Sequence, residues 1–256
     1  MAKAARITFM ASEAPAAQAA LGRLCARYGS VPDAEAEMIV ALGGDGFMLQ
    51  TLHAMERRDI AVYGMNCGTI GFLMNEYSED DLFARLKDAE ETVINPLVMR
   101  AEGVGGDLHE ALAINEVALL RAGPQAAKLR ISIDGRVRLD ALVCDGALLS
   151  TPAGSTAYNY SAHGPILPIE SDVLALTAMA AFRPRRWRGA ILPKAAVVRF
   201  DVLEPDKRPV MADADSRSSV RDVLSVEIRS EPAIRHRILF DPGHGLEERL
   251  TREQFT

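Results

Sequence analysis

The sequence predicts a parallel α/β domain followed by a β-rich, largely antiparallel one. Two observations carry this. Up to about residue 92, short apolar runs alternate with segments whose apolar residues recur at helical spacing. Beyond about residue 93 the helical spacing gives way to short alternating runs bounded by turn residues.

Taken in order, residues 6–11 read as a strand. Residues 16–28 have helical periodicity and stop at Gly29. The apolar run 38–42 leads into Gly43-Gly44-Asp45-Gly46, and residues 47–55 return to helical spacing. Residues 60–64 form a third strand that runs into a turn from Asn66 to Leu73. Ser78-Glu79-Asp80-Asp81 is expected to open another helix with an acidic first turn. In the second half, residues 111–120 read as one strand, and residues 129–133 and 137–139 flank Asp134-Gly135 as a hairpin. Residues 141–149 continue the β pattern, and 170–182 are expected to form one helix. Residues 197–202 and 223–228 alternate like strands.

The chemistry concentrates at Gly43-Gly44-Asp45-Gly46. A strand–turn–helix leaves backbone N–H groups at a helix N-terminus suited to an anion. Three glycines let a phosphate approach the main chain closely. The turn's one functional side chain, Asp45, would repel that phosphate unless a metal or a hydroxyl proton lay between them. The turn therefore points to phosphoryl chemistry in which Asp45 activates a hydroxyl or helps to hold a metal beside a polyphosphate.

Asn115-Glu116 interrupts an otherwise apolar strand, with its two side chains on opposite faces. Such a pair is either a strand end near solvent or an amide and a carboxylate meeting ribose hydroxyls or a base. Asp145-Gly146, taken alone, reads as a hairpin turn. Residues 150–165 are rich in hydroxyls and small side chains, with two tyrosines. They form either a flexible surface loop or a segment that wraps a polar ligand.

The 256 residues, 48% of them apolar, suffice for one large domain or two modest ones. A net charge of −6 argues against a nucleic-acid footprint. The basic run Arg183-Pro184-Arg185-Arg186-Trp187-Arg188 reads as a solvated turn, although a small basic patch could still meet a phosphorylated ligand. Three cysteines without a CxxC pair fit a reducing cytosol rather than a disulfide framework or a structural zinc site. No secretory h-region and no apolar run near the ~20 residues of a membrane span is present, so a soluble cytoplasmic protein is expected. A P-loop, a GxSxG elbow and an HExxH pair are all missing, and no metal-ligating residues are expected from the five scattered histidines.

These residues together resemble a known family. Gly43-Gly44-Asp45-Gly46 is similar to a motif of NAD kinases, diacylglycerol and sphingosine kinases, and phosphofructokinases. Adding Asn115-Glu116, Asp145-Gly146, the run Thr151 to Asn159, the turn ending in Gly71-Phe72-Leu73 and a late segment from Asp241 to Leu250 makes the chain resemble bacterial NAD kinases along most of its length. The resemblance implies an N-terminal Rossmann-like α/β domain (1–95), a C-terminal β-sandwich-like domain (96–235) and a tail (236–256) returning to the first. It implies transfer of a phosphoryl group from ATP, or another donor, to the adenosine ribose 2′-hydroxyl of NAD. Asp45 would be the general base or metal-assisting acid, and Gly46 would contact ribose and phosphates by its backbone. Asn115 and Glu116 would hold ribose or base atoms. Asp145, Ala153, Thr156, Ala157, Tyr158, Asn159, Tyr160 and Ser161 would line the NAD pocket. A late aspartate, Asp215 or Asp213 with Asp215 the better fit, would join them. A divalent cation, Mg²⁺ by the chemistry of two phosphorylated reactants, is implied, as is a homodimer or homotetramer. Phe47 stands where many relatives carry a hydroxyl residue, and Ala153 where others have Ser. Two rivals remain: a lipid kinase of the same clan, and a non-catalytic NAD(P)-binding regulator.

Overall fold

A computed structural model describes residues 6–68 and 71–243. Thr69 and Ile70 of the predicted turn, and the late motif from His244 to Leu250, lie outside the described residues. Along the chain run β1 (Ile7–Ala11), α1 (Pro15–Tyr28), β2 (Met38–Gly43), α2 (Asp45–Ala54), β3 (Ala61–Asn66), β4 (Asn75–Glu76), α3 (Leu82–Asp88) and β5 (Glu90–Ile94). Next come β6 (Leu97–Gly103), β7 (Leu108–Ala113), β8 (Glu116–Arg121), β9 (Ala127–Ile133), β10 (Arg136–Cys144) and β11 (Gly146–Ser150). Last are α4 (Tyr158–Ser161), β12 (Val173–Met179), β13 (Gly189–Pro193), β14 (Val198–Val202), β15 (Val210–Ala214), β16 (Ser218–Val220), β17 (Val223–Ser230) and β18 (His236–Phe240). Two compact units result, one from the described residues up to 94 and from 234, the other from Asn95–Ala233.

The first unit is α/β. Its sheet runs β1-β2-β3-β18-β5 with β4 beside β3, and all pairs are parallel except β18 with β5. Strands β1, β2 and β3 are mostly buried on both faces, which is why they read as near-continuous apolar runs. Leu24, Leu42, Tyr63, Met65 and Leu82 lie in its buried core. Helix α1 begins on Pro15 and ends at Gly29, whose φ of 73° suits glycine and whose N–H reaches Cys25 O at 3.0 Å. The expected acidic first turn of α3 is not found: the helix starts at Leu82, after the acids. Glu79 and Asp80 instead pair with Arg23 and Arg27 of α1 at 2.6 and 2.7 Å. Tertiary ion pairing has replaced the helix-dipole role that local sequence suggested.

The second unit is all but entirely β. Two antiparallel six-stranded sheets run β10-β9-β14-β17-β6-β7 and β13-β12-β11-β8-β15-β16. Leu129, Phe200 and Val226 of one sheet share a buried core with Val117, Leu149 and Leu176 of the other, which makes a sandwich. The Asp134-Gly135 hairpin forms as expected, with φ of 51° and 73°. Three other expectations need correction. Residues 111–120 are two strands, because the chain leaves one sheet after Ala113 and enters the other at Glu116. Asp145-Gly146 is no hairpin but a second such crossing, from β10 to β11. A side chain at Gly146 would overlap Leu119 O, so the crossing needs glycine for close backbone approach. Residues 170–182 hold strand β12, not a helix. Leu174 through Ala178 are all buried between β11 and β13, and a strand covered on both faces shows no period to separate it from a helix.

Candidate functional site

Asp45 is the first residue of α2, directly after β2 and the N-cap Gly44. Its carboxylate is clamped by main-chain donors of the neighbouring turn: Phe72 N–H to Oδ2 at 2.6 Å and Leu73 N–H to Oδ1 at 3.0 Å. Each oxygen keeps a second lone pair for a ligand. Gly71 is what lets this turn come so close, since a Cβ there would stand 2.6 Å from Asp45 Cγ. Cys67 N–H reaches Gly43 O at 2.8 Å, and Asn66 Oδ1 accepts Gly68 N–H at 2.9 Å, so the two turns are built as one piece. Space for a side chain is open over Gly44 and Gly46: beyond its own chain neighbours and helix turn, a Cβ at either would meet no atom of the described residues within 4 Å. A Cβ at Gly43, by contrast, would meet Phe47 Cβ at 2.8 Å. Phe47 therefore packs on the turn where a hydroxyl was missing from the motif. The sequence singled out Asp45 and the 66–73 turn separately; it gave no sign that the second grips the first.

In the second unit Asn115 and Glu116 sit at the sheet crossing, between β7 and β8. Asp215, which has a φ of 53°, holds that crossing open. Its carboxylate accepts three successive N–H groups, from Ile114 at 2.6 Å, Asn115 at 2.9 Å and Glu116 at 3.1 Å. Asp213 does something else: it accepts Ser216 N–H at 2.6 Å and the Ser219 hydroxyl, closing the β15–β16 turn. Thr151 ties the same crossing from the far side, donating to Ile114 O at 2.7 Å and accepting Gly154 N–H at 3.0 Å. A Cβ on Gly154 would overlap Asn115 O, so that contact too requires glycine.

What remains is a polar pair short of partners. Asn115 Oδ1 and Glu116 Oε2 are buried with no hydrogen-bond partner among the described residues. Glu116 is only 8% exposed. Burial, and then the Asp215 carboxylate, push its carboxyl up to about 8, with the Tyr158 N–H pulling the other way. Native proteins pair nearly all such atoms, so two orphans at adjacent residues mark a place for a ligand's polar groups.

The expected loop is ordered structure: a short 3₁₀ turn, Ala153–Thr156, then α4. Ala153, Tyr158 and Asp215 are thus gathered around Asn115 and Glu116. Tyr158 and Tyr160 are exposed, at 39% and 46%, and Ser161 is exposed beside them. Asn159 is used internally: its amide donates to Ser155 O and Pro165 O at 3.1 and 2.9 Å and accepts Thr177 Oγ1 at 2.6 Å. Thr156 and Ala157 are half-buried, with Thr156 Oγ1 3.5 Å from Ala153 O. Asp145 stands apart, at the opposite end of β11 from Ser150, in an ion pair with Arg121 at 2.8 Å. The sequence missed Thr151, Gly154 and Ser155 as builders of this cluster; all three are buried, and their small size was the available signal.

Comparison with known proteins identifies the family. The ATP-NAD kinase N-terminal domain family matches residues 16–92, and the ATP-NAD kinase C-terminal domain family matches 114–231. An NAD kinase of Cereibacter sphaeroides is 71% identical over 250 residues, covering 98% of both chains. An NAD kinase of Caulobacter vibrioides is 59% identical, covering 98% of this chain and 96% of that one. Among solved structures, yeast NADH kinase complexed with NADH superposes with a TM-score of 0.84 at 19% identity, over 98% of this chain and 87% of that one. An NAD kinase from Archaeoglobus fulgidus in complex with ATP gives 0.77 at 21%, over 96% and 98%. The class is therefore that of transferases which phosphorylate a hydroxyl group. The chain belongs to the NAD kinase family, whose reaction converts NAD to NADP.

Proposed function

We propose that, in phosphorylating NAD to NADP, this enzyme uses Asp45 to orient and deprotonate the adenosine ribose 2′-hydroxyl and uses Asn115 and Glu116 to hold the dinucleotide. The observation that carries the second role is the pair of buried, unpartnered atoms Asn115 Oδ1 and Glu116 Oε2. Ribose hydroxyls and the adenine amine are donors of the kind those acceptors lack. Tyr158 supplies a flat exposed ring, and Ala153, Thr156, Ala157, Tyr160 and Ser161 line the same ligand. Asn159 and Asp215 act by building the wall: the first joins α4 to β12, the second holds the Asn115–Glu116 crossing. Asp145 keeps its proposed place on NAD by resemblance, a strand's length from Glu116.

Asp45 suits its role because both its oxygens are already oriented by N–H groups and retain lone pairs for a hydroxyl. The open backbone at Gly44 and Gly46 suits close approach of phosphate oxygens at the N-terminus of α2. Phosphoryl transfer needs positioning and charge neutralisation above all. Among the described residues no three His, Cys, Asp or Glu side chains gather as a metal cluster. Mg²⁺ fits this chemistry as an ion held by one or two carboxylates and substrate phosphates; Asp45 is the carboxylate in place to assist. Bound there, it would supply neutralisation of phosphate charge. ATP is the proposed donor. A cytoplasmic location and assembly as a homodimer or homotetramer complete the proposal; no described helix is long and apolar enough to cross a membrane.

Hydrogen exchange with and without NAD tests the placement of the dinucleotide. Saturating NAD is expected to slow exchange across residues 150–165, and Tyr158→Ala to raise the NAD KM. No protection there, with an unaltered KM, would remove this segment from the site.

A further inference from the structure

A cavity of about 690 Å³ opens in the second unit beside the turn from β13 to β14. Every residue that lines it lies within Asn95–Ala233, and none has a part in the site described above. Its size is that of a small-molecule pocket, typically ~300–1,000 Å³. Pro193, Ala195, Val197 and Pro232 give it an apolar wall. Two cations, Lys194 and Arg229, interrupt that wall, against one acid, Asp172. Apolar surface with a few placed polar groups is the usual make-up of a ligand pocket.

The two cations differ in how their charge is met. Arg229 has Glu231 at 3.0 Å. Lys194, whose side chain is 32% exposed, has no such counter-charge. Its Nζ donates to a neutral acceptor, Asn95 Oδ1, at 3.0 Å. Among the described residues Asp172 is the carboxylate within ion-pair reach, but it stands at 3.8 Å, beyond hydrogen-bond distance, with its side chain 91% exposed. An ammonium carries three donors, so Lys194 has donors left for a ligand. The frame that presents it is fixed. Lys194 N–H reaches Asp172 O and Ala196 N–H reaches Pro193 O, both at 2.9 Å, and Glu231 N–H ties the opposite wall to Pro96 O at 2.8 Å.

We infer that this cavity is a binding site for an organic carboxylate with an apolar body, its carboxylate on Lys194 Nζ and its body against Pro193, Val197 and Pro232. The apolar body expels water from the wall, and the ion pair at Lys194 strengthens as the local dielectric falls. A neutral hydrocarbon would cover Lys194 without meeting its charge, which costs free energy. A multiply charged anion would leave the apolar wall unused and meet Asp172 at the rim. A single negative charge on an apolar body satisfies both parts of the cavity. The site does not depend on the proposed roles of Asp45, Asn115 or Glu116, because binding is read without turnover.

Dansylglycine, an aromatic carboxylate whose emission rises in apolar surroundings, is the probe, and uncharged dansylamide, with the same fluorophore, is its control. Each is titrated into the full-length protein, alone and with saturating NAD and ATP. A saturable rise in emission is expected with dansylglycine, and it should persist in the presence of both nucleotides. Dansylamide should bind about tenfold or more weakly, and Lys194→Gln should weaken dansylglycine by a similar factor. Ala195→Glu sets a carboxylate in the wall at an exposed position and should weaken the probe while leaving the Lys194–Asn95 bond in place. Thermal midpoints verify the fold of both variants; if Lys194→Gln is destabilised by loss of that bond, Ala195→Glu decides. Emission that does not saturate, equal binding of dansylamide, displacement by NAD or ATP, or undiminished binding in a folded variant would overturn the inference.

Discussion

Glu116 combines three properties that rarely coexist: a buried carboxyl, an oxygen without a partner, and a second carboxylate, Asp215, nearby. Its proton is therefore coupled to folding. In the unfolded chain the group titrates near ~4.3, in the fold near about 8. Between those values the folded state keeps a proton that the unfolded state has released. Stability from this group is thus fully present below the unfolded value and falls as pH rises toward the folded one. Glu116→Gln should remove that slope. Measured at about pH 5 and about pH 8.5, its thermal midpoint should gain on the parent's at the higher pH. Parallel profiles for the two proteins would show that Glu116 is ionised in the fold throughout. NAD recognition should suffer in the same variant, because the amide nitrogen, unlike either carboxyl oxygen, cannot accept a hydrogen bond.

At the scale of elements, the informative feature is the crossing between sheets. Asp215 satisfies three N–H groups that neither β7 nor β8 can use. Asp215→Asn puts a donor against some of them, and an unsatisfied buried N–H costs ~1–3 kcal/mol. Chemical denaturation should register a loss of about that size, and the NAD KM should rise with it. Unchanged stability would mean that the crossing is held by Thr151 alone. The same crossing marks the limit of what could be read from sequence. Asn115 and Glu116 were visible as polar residues in an apolar run, but the run looked like one strand. Nothing local announces a change of sheet, because the carboxylate that permits it comes from a residue about 100 positions later. Asp134-Gly135 was legible because a two-residue hairpin is a local decision. Strand β12 was not, because burial on both faces erased its period. The Asp45 turn was legible as a glycine-rich strand-to-helix junction, whereas its clamp by Phe72 and Leu73 is tertiary.

At the scale of the whole molecule, the first unit is closed by a strand from the far end of the chain. Strand β18 inserts between β3 and β5. Buried Asn75 fixes it there, donating to Gly64 O at 3.0 Å and Leu239 O at 2.9 Å while accepting Asp241 N–H at 2.9 Å. Arg85 adds a mostly buried ion pair to Asp241 at 2.6 Å. Asn75→Ala should therefore cost about 2 kcal/mol or more in denaturant, through three backbone groups left unpaired. A cost near zero would mean that β18 is held by its ladder and apolar packing alone. The seating of this strand bears on function because Asp45 heads the helix that follows β2 in the same sheet. The most direct test of the proposed chemistry is ATP-dependent formation of NADP by the parent and by Asp45→Asn, with NAD binding measured on both. The expected result is turnover lower in the variant by on the order of 10²–10⁴-fold with NAD still bound; a variant retaining more than about a tenth of the parent's kcat would contradict the role of Asp45 as base.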